Sequence, residues 1–284
     1  MPALPPDLVE RARAFARGGA EPAAVRDAAT VVLLRDGADG LETYLLRRVG
    51  SMAFAAGMHV FPGGSVDARD EGLPAGGDDW SGPAPPQWAR QLRCDEGLAV
   101  ALVRAAVRET FEESGILLAG PSPDEVVADT TGPDWETDRV ALIERSLSFT
   151  EMLSSRGLVL RTDLLRVWAH WITPEFEPRR FDTRFFVAAV PEGQRTRDVG
   201  GEADRVVWMA VADAVARYEK GTLPMLPPTV LTLRELSSYP DLASVLGAEH
   251  VVEPLMPRAV VDGDEVRLVL DGPEGERPAD GPPA

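Results

Sequence analysis

Glu109, Glu112 and Glu113 are spaced three and four residues apart, so on a helix they share one face and bring three carboxylates within a few ångströms of each other. Left bare, such a cluster repels itself by roughly 0.2 to 0.5 kcal/mol per pair even when exposed, and by more in a cleft. Arg108 lies four residues before Glu112 and can pair with it, but one guanidinium cannot neutralise three acids. A hard divalent cation can, and Mg²⁺ usually keeps waters and substrate phosphate oxygens in its shell. The spacing therefore predicts a site for a hard divalent cation. The solvated face of an amphipathic helix can carry the same triplet, so the surrounding sequence has to decide.

Competing chemistries find little support. The only cysteine, Cys94, has no partner for a disulfide or a thiolate metal site, and packing is its expected role. His59, His170 and His250 lie far apart without a partner motif and read as structural. With 46 acidic against 29 basic residues the net charge is −17, which repels nucleic-acid phosphates and argues against a DNA binder. A small anionic ligand then needs a local cation, either clustered arginines or a bound metal. Charges interrupt every apolar segment before it reaches the run of about 18 residues that a spanning helix needs. No membrane partner is expected, and residues 1–19 lack a signal-peptide pattern, so the cytoplasm is the expected location.

The elements that must position the glutamates can be read from periodicity. Val100, Val103, Val107 and Phe111 recur at helical steps and predict a helix over Leu98 to Ser114, with Gly115 as its left-handed cap. Ile116-Leu117-Leu118 then predicts a short buried strand. Ala28 to Leu34 and Leu41 to Arg47 are β-rich runs across Asp36-Gly37-Ala38-Asp39-Gly40, a hairpin signal. Asp70 to Pro86 reads as a surface excursion, and Asp134 to Arg156 as a mostly helical insertion. Val167 to Thr173, Phe181 to Val190 and Arg205 to Met209 have strand composition. Val211 to Tyr218 and Thr229 to Tyr239 predict closing helices, Val260 to Leu270 a hairpin, and 271–284 a disordered tail. The class is α/β, organised as one domain over 1–270 with insertions at about 67–97 and 120–157.

The string Arg108-Glu109-Thr110-Phe111-Glu112-Glu113-Ser114-Gly115-Ile116 resembles the catalytic half of the Nudix box, in which Gly, five residues, Glu and seven residues precede Arg-Glu-aliphatic-any-Glu-Glu-any-Gly-aliphatic. Thr110 stands where an aliphatic residue is usual. Gly64, in Phe61-Pro62-Gly63-Gly64, is 44 positions before Arg108 against 14 in that pattern, an insertion of 30 residues. Asp70 holds the offset of the first box glutamate, with Glu71 beside it, and either could stand in for it. Together with His170-Trp171-Ile172-Thr173-Pro174 and Arg179-Arg180-Phe181-Asp182-Thr183-Arg184-Phe185-Phe186, the interrupted box resembles the peroxisomal acyl-coenzyme A diphosphatase branch of the Nudix superfamily and its bacterial relatives.

That resemblance implies a Nudix α/β/α sandwich with a mixed sheet and extra C-terminal helices, dependence on Mg²⁺ or Mn²⁺, and attack by water on a nucleoside diphosphate derivative. It implies Glu109, Glu112 and Glu113 as metal ligands, one of them able to double as the base, Arg108 orienting them, and Gly64 offering its carbonyl. Glu202, before Val206-Val207-Trp208-Met209, is a further candidate ligand. Coenzyme A or acyl-coenzyme A is the leading substrate, giving a phosphopantetheine moiety and adenosine 3′,5′-bisphosphate. The alternatives are a dinucleotide, a nucleotide sugar, a capped RNA end, or a non-catalytic binding module. Arg47, Arg48, Arg180 and Arg184, with Arg179, are candidate phosphate contacts, the ribose phosphate of coenzyme A being a natural target. Phe54, Met58 and His59 lie where that branch places part of its substrate recognition.

Overall fold

The computed structural model describes residues 4, 6–18, 20–49, 55–70, 79–197, 203–263, 265–272 and 275–279. Helix α1 (Pro6–Ala16) precedes the hairpin of β1 (Val25–Gly37) and β2 (Gly40–Arg48), then the short β3 (His59–Val60), β4 (Gly63–Ser65) and β5 (Trp80–Ser81). Helices α2 (Pro85–Leu92) and α3 (Glu96–Ser114) follow, then β6 (Ala119–Gly120), α4 (Pro133–Ile143), α5 (Phe149–Arg156) and β7 (Val159–Arg161). The chain continues through β8 (Arg166–Ile172), β9 (Arg180–Ala189), β10 (Ala203–Ala210), α6 (Val211–Glu219), α7 (Pro227–Leu236) and α8 (Leu242–Leu246). It closes with β11 (Pro254–Leu255), β12 (Arg258–Asp262), β13 (Glu265–Gly272) and β14 (Gly275–Pro278). Among these residues no helix is long and apolar enough to cross a membrane.

The main sheet is mixed, in the order β10-β2-β1-β9-β8-β11, with β3 on β2 and β4 on β1. Strand β1 is central because Ala28 to Leu34 is apolar on both faces, apart from Thr30, and both faces are covered. One face, with Ala29, Val31, Leu33 and Phe186, packs under α2 and α3. The other, with Val32, Leu34, Phe185 and Val187, packs under α6, α7 and α1, giving the α/β/α layering expected. Gly40, at φ 110°, lets the β1–β2 turn close over two residues, with Gly37 paired to Gly40.

Helix α3 starts where Asp95 accepts a hydrogen bond from Leu98 N at 2.9 Å, and ends where Gly115 adopts φ 77°. Thr110 fits the position usually aliphatic because it is fully buried and its hydroxyl donates to Ala106 O at 2.7 Å, satisfying the polar atom within the helix.

Three expectations change. Ile116 to Leu118 is buried but is not a paired strand. The side chain of Gln194 takes a strand's place there, accepting from Leu117 N at 2.8 Å and donating to Leu117 O at 2.9 Å and Val127 O at 2.7 Å. Residues 271–272 and 275–279, expected as part of a disordered tail, instead complete a small sheet in which β14 pairs with β13 and Ala279 is buried; 273–274 and 280–284 lie outside the described residues. The expected surface excursion is anchored at its ends: Asp70 is buried and Trp80 pairs in register with Leu160 of β7.

Gln194→Ala strands the buried N–H and carbonyl of Leu117 and removes the donor to the part-buried Val127 carbonyl. It should lower the unfolding free energy by about 2 to 4 kcal/mol, read as the urea midpoint at constant slope. A loss below 1 kcal/mol would show that water replaces the amide.

Candidate active site

The last two turns of α3 carry Arg108, Glu109, Glu112 and Glu113 against β4. Gly63 and Gly64 pair with Thr30 and Ala29, and Gly63 N donates to Glu113 Oε2 at 2.8 Å. A Cβ on Gly64 would lie 2.6 Å from Glu109 Oε2, so only glycine fits while the carboxylate and the β4 backbone touch.

Arg108 is buried and organises the acids. Its Nη1 donates to Glu109 Oε1 at 2.7 Å and Glu112 Oε1 at 3.1 Å, while Nε and Nη2 form a fork on Asp70 at 2.9 and 2.8 Å. Nη2 also reaches Ser65 O at 3.1 Å. Asp70 is 1 % exposed, accepts from Asp67 N at 2.8 Å, and its carbonyl accepts from Arg104 Nη1 at 3.2 Å. The position offset from Gly64 by the spacing of the first box glutamate therefore holds the arginine rather than facing solvent. Glu71 lies outside the described residues.

Burial pushes the Glu109 carboxyl up to about 7, with Glu112 and Asp70 adding to the shift and Arg108 opposing it. Burial likewise raises Glu112 against the pull of Arg108. Burial disfavours the charge on Arg108, but Asp70, Glu109 and Glu112 outweigh it and raise its pKa. One arginine thus leaves the acids under-compensated. Among the described residues no three His, Cys, Asp or Glu converge in a ligating arrangement. Arg108 draws Glu109 and Glu112 together, while Gly63 N holds Glu113. The donor set still fits a hard divalent cation, with carboxylate oxygens on adjacent turns and a glycine backbone in contact with one of them.

The C-terminal end of a helix is its negative pole, so three glutamates there oppose the macrodipole. Arg139 of α4 donates from Nη1 to Glu112 O at 2.8 Å, and Arg197 packs where a Cβ on Gly115 would be. Glu136 holds both, accepting from Arg139 Nη2 at 2.6 Å and Arg197 Nη1 at 3.1 Å. Neither arginine had a sequence signal, because each meets α3 only through the fold.

A cleft of about 1440 Å³ adjoins these acids. Arg48, Arg179 and Arg180 line it, as do Arg26, Met58, Phe181 and Thr183. Arg47 is not on its wall, whereas Leu46 and Arg48 of the same strand are. Arg184 corrects the expectation of a phosphate contact: it is 4 % exposed, away from the cleft, and pairs with Asp182 and, at 3.6 Å, with Asp27. His170 shares Asp182, and His59 faces Pro224 O at 3.4 Å, both structural uses. Burial pushes the Cys94 thiol up to about 11, which disfavours it as a nucleophile. Glu202 and Phe54 lie outside the described residues.

The family model for the NUDT19 Nudix domain matches residues 89–236. The chain is 26% identical over 277 residues to the acyl-coenzyme A diphosphatase NUDT19 of Homo sapiens, covering 84% of this chain and 72% of that one. It is 28% identical over 265 residues to the NUDT19 protein of Gallus gallus, covering 76% and 69%. The solved structure of a Nudix hydrolase from Alicyclobacillus acidocaldarius superposes with a TM-score of 0.65 at 28% identity, covering 80% of this chain and 98% of that one. Because the domain match spans more than half of the chain and takes in all of α3, the protein belongs to the Nudix family and is a Nudix hydrolase.

Proposed function

We propose that the protein hydrolyses the diphosphate linkage of coenzyme A or acyl-coenzyme A, releasing a phosphopantetheine moiety and adenosine 3′,5′-bisphosphate. The observation that carries this is the junction of the acidic face of α3 with an arginine-lined cleft, in a chain similar to proteins named acyl-coenzyme A diphosphatases. Nudix hydrolases use divalent metal ions; Mg²⁺ or Mn²⁺ is the choice that suits an all-oxygen donor set. Glu109, Glu112, Glu113 and the Gly64 carbonyl would hold it, and it would supply charge neutralisation at the diphosphate and acidify a water.

The remaining work falls to the chain. Arg108 and Asp70 fix the glutamates in place, and a glutamate oxygen of the triplet takes the proton of the attacking water. Arg48 and the cleft arginines bind the anionic substrate against the overall field of a chain with net charge −17. The half-buried Cys94 and the absence of any disulfide partner in the sequence support a reducing, cytoplasmic setting.

A panel of coenzyme A, acyl-coenzyme A, a dinucleotide and a nucleotide sugar, assayed with Mg²⁺ and then Mn²⁺, should show highest kcat/KM on the coenzyme A compounds and none after chelation. Cleavage of the dinucleotide alone would overturn the substrate assignment.

Glu112→Gln should cut kcat by roughly 100-fold or more, beyond the usual effect of an outer-shell partner, with unchanged circular dichroism. Activity that survives would mean the triplet is not the metal site, and a wild-type protein that binds without turnover would instead be a binding module.

Gly64→Ala should lower kcat/KM at least about tenfold with little change in melting temperature, because the new methyl displaces Glu109 and not the core. Equal activity would remove the β4 backbone from the site.

A further inference from the structure

The cleft floor is one face of two adjacent parallel strands. Arg26, Ala28 and Thr30 of β1 alternate onto it, and their register partners Phe181, Thr183 and Phe185 of β9 do the same. Ala29, between Ala28 and Thr30, pairs with Gly64, whose backbone meets Glu109. Three residues back along β1 is Arg26, about 10 Å away at strand rise. Arg179 also lines the cleft, immediately before β9 begins.

These cations differ from the other arginines of the wall. Arg11 is paired with Asp7 and Glu177, Arg69 with Asp67, and Arg145 faces Asp67 at 3.7 Å. Arg26 and Arg179 are exposed, and neither has a carboxylate partner among the described residues. Arg180 is fixed beside them by hydrogen bonds to Thr173 O at 3.1 Å and Ala23 O at 3.0 Å, so its charge stays at the rim. The nearest acids of these strands, Asp27 and Asp182, lie on the opposite face with Arg184. The wall acids Asp7 and Glu177 are committed to Arg11, which leaves Arg26 and Arg179 as cations without a carboxylate partner among the described residues. Phe181, in register with Arg26, offers an aromatic surface on the same floor.

We propose that Arg26 and Arg179, backed by the fixed charge of Arg180, form a second anion subsite that reads a phosphomonoester one ribose away from the diphosphate. The enzyme then selects 3′-phosphorylated nucleoside diphosphates over those with a free ribose hydroxyl. A phosphomonoester carries about −1.5 to −2 charge at pH 7, which two guanidinium groups match. In such a substrate the third phosphate stands a ribose away from the scissile linkage, a reach of the same order as the strand separation above. This rests on the reading of the α3 glutamates as the diphosphate-cleaving site.

The test compares coenzyme A with 3′-dephospho-coenzyme A on the full chain, wild type and the Arg26→Gln, Arg179→Gln double variant. Wild type should prefer coenzyme A by about tenfold or more in kcat/KM, and the double variant should bring that ratio close to one, with lysine at both positions restoring part of it. A wild-type ratio near one, or a ratio the glutamines leave untouched, overturns the subsite. If neither compound is cleaved, the substrate assignment fails on its own, and calorimetry then decides the subsite: adenosine 3′,5′-bisphosphate must bind wild type more tightly than AMP, with the difference lost in the double variant. Equal binding of the two nucleotides overturns it.

Discussion

A buried guanidinium shared among three acids holds the site together. Arg108 has one edge committed to Asp70 and the other to Glu109 and Glu112, so each carboxylate is oriented through the same planar group. Removing one member would leave the others charged in a poorly solvated place, which is why breaking such networks costs more than they contribute net. The network still falls short of neutrality. Burial raises the Glu109 carboxyl, Glu112 and Asp70 add to that shift, and Arg108 opposes it.

Two segments outside the main sheet bring side chains to this network and to the end of α3. The segment between Gly64 and α3 keeps Asp70 at one end, where it pins Arg108, and at the other builds α2, whose Trp88 packs edge-on against Phe186 of the sheet. The segment after β6 supplies α4, from which Arg139 reaches the Glu112 carbonyl while Glu136 holds Arg139 and Arg197 together. The first thus returns an acid that orients Arg108, and the second returns a guanidinium to the C-terminal end of α3, where the helix dipole opposes the glutamates.

The central sheet separates two tasks by its alternation. One face of β1 and β9 packs under α3, while residues one position along point into the cleft. Glycines at 63 and 64 let β4 lie close enough to α3 for the two to meet. A one-residue slip in β9 would exchange Arg184 with its cleft-facing neighbours, so register carries the distinction between a structural arginine and a ligand-facing one.

Local patterns were legible in the residues themselves. The helical recurrence of Val100, Val103, Val107 and Phe111, the cap at Gly115 and the spacing of Glu109, Glu112 and Glu113 depend on neighbours within two turns, and α3 follows them closely. The β1–β2 hairpin was readable for the same reason. What required the tertiary structure were partners distant in the chain. Asp70 meets Arg108 across 38 positions, Gln194 satisfies Leu117 across 77, and β14 orders residues whose composition alone suggests a tail. Arg180 and Arg184 look equivalent in sequence, yet one lines the cleft and the other is buried with Asp182. Periodicity reports which face a residue shares with its neighbours. Only packing decides what that face meets, because burial and counter-charge come from other segments.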